Sequence, residues 1–419
     1  CALPISDIPN NEFTREEILS MLAKEMLDAA EQLPASQPEV GRIHKYIALA
    51  YAAKIKLYQA YQQDEITHAV TSINKELLRE VVSLCDQVTA SNRYGLLDDF
   101  QGLDLVTNEN GKESVFAIQY SMNDGTESAG RINWSNLLNS PGGGSPYGGD
   151  GFFLPSQDLI NAYQTDANGL PDFNYQSKSD YSWAVLNNGV YTLQNTTPNV
   201  DPRLDFVVGR PTITWKTYPD KPCEGWVRDK DTYGYNCAKR FWVSPESSDM
   251  FNGWPWGASQ LNWQIIRYAD ILLWKAEALI ELNEGNGLET ARDLINQIRN
   301  RARNSAYVKD FNDHSKYAAN YLVNPYPADV WNQDYARQAL RWETRLEKAL
   351  EGERFFDLVR WGIVETTMNK YITAESDNRI YYANAHFTGG KDEYYPVPNN
   401  QYGFSGGKYV QNPGYAPFN

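Results

Sequence analysis

The chain has 419 residues, 42 % of them hydrophobic, enough for a large buried core. With 38 basic against 53 acidic residues its formal charge is −15. That balance excludes the clustered cations that nucleic acid requires and electrostatic adhesion to an anionic membrane surface. No run of about 18 apolar residues is present to span a bilayer, and no charged segment followed by an apolar one marks a signal peptide.

Thr14-Arg-Glu-Glu17 is a capping box that opens a helix, with Ile18, Leu22, Met26, Ala29 and Leu33 on one face and Pro34 as its stop. Residues 41–62 predict a second helix, in which Ala48, Ala50, Ala52 and Ala53 permit close helix approach. A third runs from about Ile73 to Thr89. It places Cys85 among Val81, Val82, Leu84 and Val88, as a buried thiol. Ser114–Tyr120 alternates as a short strand. From about 121 to 261 the texture is loop, broken by PGGGSPYGGDG (141–151) and many Asn, Asp and Pro turns, with one short helix over Leu154–Tyr163. Loops this long in a compact protein are usually functional. Cys223 and Cys237 flank a Trp/Tyr/Gly-rich loop and are a candidate disulfide, worth about 3 kcal/mol at this spacing.

Two helix pairs follow, over roughly 262–304 and 333–361. In the first, Ile271, Leu272, Ala276, Leu279 and Ile280 form one apolar face. The stretch Asn283-Glu-Gly285-Asn-Gly287 breaks it, and Leu288, Ala291, Leu294, Ile295 and Ile298 form the next. Such tetratricopeptide-like units bury their faces only by stacking on neighbours. Leu346, Leu350 and Leu358 are the expected core positions of the second pair. After residue 371 the chain is again loop. The fold class is therefore mostly α, with stacked helix pairs and a large loop-rich, partly β insert. One domain is expected: N-terminal helices (11–93), insert (94–261), C-terminal helix pairs (262–372) and a C-terminal loop region (373–419).

The acidic cluster Glu343, Glu347, Glu351, Glu353 and Asp357 has the residue type of a glycosidase pair. Its three-to-four spacing and its interleaving with Arg341, Arg345, Lys348, Arg354 and Arg360 instead fit ion pairs within and between helices. His44, His68, His314 and His386 are scattered, and no metal site is expected from them. PGGGSPYGGDG lacks the Lys-Ser/Thr of a phosphate loop. Asp166-Ala-Asn168-Gly169 has the start of a calcium loop but no distal Glu. What remains is a heavy aromatic load, 12 Trp and 28 Tyr, much of it in loops: Trp134, Tyr147, Tyr181, Trp183, Trp215, Trp226, Tyr233, Tyr235, Trp254 and Trp256. Flat aromatic faces suit sugar rings, whose axial C–H groups pack on the π-face while their hydroxyls find polar rim partners. Asp180-Tyr-Ser-Trp183 and Asn252-Gly-Trp254-Pro-Trp256 combine both ingredients. The candidate ligand-binding set is Trp183, Trp254 and Trp256, with Trp134, Tyr147 and Tyr181 in support.

Several ordered blocks resemble the SusD/RagB family of surface glycan-binding lipoproteins. They are Gly41-Arg42 with Lys45 and Ala48, the segment before Tyr163, Asp201-Pro-Arg203, RYADILLWKAEALI, EGERFFDLVRWG, YYPVPNN and QNPGY. The resemblance implies a non-catalytic protein that captures an oligosaccharide and delivers it to a SusC-like TonB-dependent outer-membrane transporter. It implies attachment to the outer cell surface of a Bacteroidota-type bacterium through a lipid, with no resident cofactor beyond a structural calcium in some members. Peptide cargo on the same fold is the nearer alternative, and a glycoside hydrolase the remoter one. The family's lipidated cysteine precedes a tether and several helices, whereas the matching segment here starts at residue 11. The expectation is that the family's first helical region is missing and that Cys1 and its next few neighbours are not native sequence.

Overall fold

Helix α1 (Arg15–Gln32) starts at the capping box: the Thr14 hydroxyl accepts from the Glu17 N–H at 3.2 Å, and the Glu17 carboxylate accepts from the Thr14 N–H at 2.8 Å. The computed structural model describes residues 9–127, 130–218 and 223–418. Cys1 lies outside them. Helix α2 (Lys45–Ala60) is shorter at both ends than the sequence suggests. At its start Gly41 has φ +81°, and a Cβ there would meet the Gln119 side chain at 2.7 Å, so the Gly41-Arg42 block is a turn before the helix. At its end Tyr61–Gln63 pairs antiparallel with Val70–Ile73. The alanines of α2 are buried and let α1 and α3 (Lys75–Thr89) pack against it. Asn74 caps α3 by accepting from the N–H groups of Glu76 and Leu77. Cys85 is buried there, and burial pushes its thiol up to about 12.

The segment expected to open the first C-terminal helix pair is a strand. Trp263–Arg267 pairs antiparallel with Ser114–Ile118, tying the start of the insert to its end. The β-branched Ile265-Ile266 favours that pleat. The helix begins only at Tyr268, where Asp270 accepts the Arg267 N–H at 2.7 Å. Helices α4 (Tyr268–Leu282) and α5 (Gly287–Asn304) form a hairpin through Asn283, which takes the left-handed conformation. Helix α6 (Gln333–Glu347) rests on both, and α7 (Arg354–Arg360) and α8 (Val364–Ser376) follow. Because α4 also packs on α3, the two ends of the chain build a single stack, α1 to α5 in order, with α6 on its last pair. One core cluster accordingly mixes Leu57 and Val81 with Ile271, Leu358 and Trp361. Leu272, Leu294, Ile298, Leu346 and Leu358 are buried as expected. Leu279 and Leu350 are only half-buried; Leu350 sits at positive φ in the turn between α6 and α7.

A buried ion network fastens the stack to the insert. Glu343 meets Arg203 at 2.6 Å and Arg299 at 3.0 Å, and Arg203 also holds Asp201 at 2.7 Å. Glu347 meets Arg301, Arg267 and Arg203, while Glu113 bridges Arg267 and Arg301. Glu351 takes Arg267, Lys348 and Arg240, and the chain runs on through Lys348 to Asp270 and through Arg240 and Asp104 to Lys216. The network is charge-balanced. Arg203, Arg299, Arg301, Arg267, Arg240, Lys348 and Lys216 face Asp201, Glu343, Glu347, Glu113, Glu351, Asp270 and Asp104. Burial alone would raise the Glu347 carboxyl, but Arg301, Arg267 and Arg203 hold it at about 2. The Arg360-Trp361 block is similar: guanidinium, indole N–H and the Tyr61 hydroxyl converge on the buried Glu277. The C-terminal motifs clasp each other, since the Gln411 side chain accepts from the Val397 N–H and donates to its carbonyl at 2.7 and 3.0 Å.

The insert contributes small sheets, each of two antiparallel strands, and a short helix Gln157–Ala162 inside the predicted one. Its own core is aromatic: Tyr147, Trp215, Trp226 and Trp242 pack with Cys223 and Cys237.

Candidate functional site

Two of the six candidate aromatics, Trp134 and Trp254, meet ring to ring, and a third, Trp256, shares the loop tip with Trp254. Residues 251–258 form a loop closed by the Phe251 N–H donating to the Ala258 carbonyl at 2.9 Å. Its tip carries Trp254, 60 % exposed, and Trp256, 50 % exposed, on either side of a buried Pro255. The neighbouring segment is anchored to that loop by the Asn133 N–H to the Ser259 carbonyl at 3.0 Å and by the Asn136 side chain to the Gly257 carbonyl at 3.3 Å. This anchoring brings Trp134, 44 % exposed, edge-on to Trp254 with ring centroids 5.1 Å apart. Trp256 lies over Gly148 of the Gly-rich loop, where an added Cβ would touch its side chain at 3.5 Å. Gly257 is required beside it: its φ is +72°, and a Cβ would collide with Ser140 at 2.4 Å.

Two further exposed apolar residues, which the sequence did not single out, extend this face. Leu138 lies one turn beyond Trp134, and the Phe152 N–H donates to the Leu138 carbonyl at 2.9 Å. Asn252 is exposed beside Trp254, and the Arg228–Asp150 pair stands at the Gly-rich loop, with Arg228 also donating to the Gly149 carbonyl at 2.8 Å. The arrangement is an open aromatic surface with polar groups at its edge. It can bind a ring by stacking, and the Arg228–Asp150 ion pair at its edge offers polar contacts.

The other candidates lie elsewhere. Tyr147 and Tyr181 are core residues, 1 % and 0 % exposed. The Tyr147 hydroxyl donates to the Val243 carbonyl and accepts from the Trp215 indole N–H, and the Tyr181 ring lies under the Arg210 guanidinium. Trp183 is 39 % exposed at the base of the hairpin Ala184–Asn187/Val190–Leu193, and among the described residues no ring contact joins it to Trp134 or Trp254. Trp215 and Trp226 are interior, whereas Tyr233 pairs with Tyr381 and Tyr235 with Tyr191.

Cys223 and Cys237 are free, buried thiols, so the anticipated disulfide is not formed. Both serve as packing volume beside the tryptophans of the insert core, and burial raises both thiols. The Asp166–Gly169 loop does not fit a calcium ion. Asp166 accepts from the N–H groups of Asn168 and Leu170, and the Gly169 carbonyl is taken by Arg299 at 2.8 Å. Among the described residues no group of three His, Cys, Asp or Glu side chains converges as metal ligands would. The acidic cluster of the helices is equally committed, since Glu343 and Glu347 are buried, the Glu351 side chain is nearly so, and all three are ion-paired.

Stacked helix pairs carrying a loop-borne aromatic surface define a class of helical-scaffold ligand-binding proteins. The SusD family model matches residues 112–415, and the chain belongs to that family. Solved structures share the fold. A SusD superfamily protein from Bacteroides vulgatus matches with TM-score 0.63 at 21 % identity, over 96 % of this chain and 69 % of its own. A SusD-like protein from Bacteroides fragilis gives 0.62 at 23 %, over 98 % and 72 %. A laminarin-binding SusD-like protein gives 0.51 at 20 % identity, over 95 % and 69 %. A comparison with curated protein sequences finds no match.

Proposed function

We propose that this protein is a non-catalytic glycan-binding component of a nutrient-uptake system, held at the outer cell surface by a lipid. It captures an oligosaccharide on Trp134, Trp254 and Trp256 and passes it to a SusC-like TonB-dependent transporter. The observation that carries the reading is the exposure of Trp254 and Trp256 at one loop tip, with Trp134 of the neighbouring segment edge-on to Trp254. A buried indole contributes several kcal/mol to folding, so placing three outside points to a ligand. Family membership and the laminarin-binding structural neighbour support a carbohydrate as that ligand. No helix among the described residues is long and apolar enough to cross a membrane, in keeping with attachment by lipid and partner.

A glycan array followed by calorimetry on the binding members tests the ligand. The reading requires at least one oligosaccharide whose affinity falls on Trp254→Ala with the melting temperature unchanged. Co-purification with a TonB-dependent transporter from gently solubilised outer membranes tests the partner. Recovery only as a free monomer would count against that step.

A further inference from the structure

We propose that a second cavity, beside Lys239, is a subsite for an anionic group of the ligand, a carboxylate or sulfate carried on a sugar unit. The cavity measures about 790 Å3 and lies between the segment after α3, the insert and the segment after α5. Phe206, Tyr307 and Leu105 give it apolar walls, and its charged lining sets Lys112, Lys216, Lys239 and Lys309 against Asp98, Asp99 and Asp104; Asp98 holds Lys112 and Asp104 holds Lys216. Leu105, Ala306 and Lys309 on its rim are exposed, so it opens to solvent.

Lys239 is the informative residue. Only 2 % exposed, its ammonium donates to the Asp205 carbonyl at 2.7 Å and to the Thr214 carbonyl at 2.8 Å. An ammonium has three donors, and among the described residues no carboxylate reaches ion-pair distance of this one. The nearby acids are already committed. Asp205 holds Arg210 through both oxygens and also accepts from the Tyr321 hydroxyl, and Asp104 holds Lys216 and Arg240. The ion network is balanced without Lys239, which leaves one surplus buried positive charge at the cavity wall. Proteins rarely bury a charge without a partner, because the desolvation is uncompensated. Burial pushes this ammonium down to about 8, with the Asp205 carboxylate opposing and Lys216 adding to the fall. Lys309, exposed on the rim and in contact with the Tyr317 ring, would add a second cation to an incoming anion. The cavity lining holds four lysines against three aspartates, and among the described residues Lys239 and Lys309 are the two of those lysines with no carboxylate partner, so a negative group entering there would meet them, in a chain whose net charge is −15. The sugar part of this proposal rests on the glycan reading above; the anion part does not.

The test uses calorimetry on the whole chain with a galacturonic acid tetrasaccharide, its carboxyl-reduced neutral counterpart and a sulfated tetrasaccharide of equal length. One anionic probe should bind at least tenfold tighter than the neutral one, and which does so distinguishes carboxylate from sulfate. Lys239→Met and Lys309→Ala should each shrink that preference, whereas Trp254→Ala should weaken all binding probes alike. Equal affinity for neutral and anionic probes overturns the subsite, as does a preference untouched by Lys309→Ala in the event that Lys239→Met does not fold. If none of these probes binds and the glycan array is blank as well, the glycan reading fails. Whenever none of these probes binds, the anion site is judged by amide resonances of residues 214–217 and 239 on titration with sodium sulfate against chloride at equal ionic strength. Localised shifts sustain it, and their absence ends it.

Discussion

In the helical stack Glu343, Glu347 and Glu351 are inside the protein, each gripped by arginines from other segments, whereas in the insert Trp134, Trp254 and Trp256 stand outside it. The polar residues of one region are buried and the apolar residues of the other exposed, the reverse of the usual partition. The stack tolerates buried charge because its network is charge-balanced and most of its members are hydrogen-bonded to one another, so removal of one member is far costlier than the network's net contribution. The insert keeps a conventional core in Trp215, Trp226 and Trp242, and this core holds the loop that displays the other indoles. One region is organised for rigidity and the other for contact.

The sharpest way to break this contrast is Arg267→Ala, which leaves Glu113, Glu347 and Glu351 without their shared guanidinium. It should destabilise by about 3–5 kcal/mol in urea unfolding. Ligand affinity of the surviving folded fraction should be unaffected. Trp215→Ala should cost a similar or slightly smaller amount, about 3–5 kcal/mol, by opening the insert core, and should weaken binding only through that unfolding.

Acid probes the same asymmetry. Glu347 is held below its ordinary value, so the stability it supplies is complete above the unfolded carboxyl range near pH 4–5. That stability is lost as pH falls towards about 2. Melting temperatures measured from pH 6 down to 2 should drop over this window, and Glu347→Gln should flatten the drop. The indoles do not titrate, so affinity of the still-folded protein should stay constant down to pH 5.

Trp254→Ala reverses the pattern of Arg267→Ala: a loss on the order of 1–3 kcal/mol in binding, read by calorimetry, with little change in melting temperature. Trp183→Ala should show the smallest effect, below about 0.5 kcal/mol in both assays, because among the described residues no ring contact joins that indole to Trp254. An effect equal to that of Trp254→Ala would place Trp183 in the binding surface after all.

Local sequence determined the elements of the stack. The capping box at Thr14, the apolar periodicity of α3 to α6 and the Gly/Asn breaks fix helix and turn through interactions a few residues apart, and these are visible without a fold. It misplaced what depends on partners far along the chain. Trp263–Arg267 became a strand because Ser114–Ile118 lies beside it, and α2 stops early because Val70–Ile73 returns to pair with its end. The acidic run of α6 announced ion pairs, yet its main partners, Arg203, Arg267, Arg299 and Arg301, come from the insert, a strand and α5, not from the arginines interleaved with it. An aromatic side chain carries no mark of its destination: Tyr147 and Trp256 occupy equally Gly-rich loops, and one is core while the other is surface. Nor does sequence tell a paired lysine from Lys239. Burial and counter-charge are properties of the assembled surroundings, so helices were legible from neighbours in sequence, and the site only from neighbours in space.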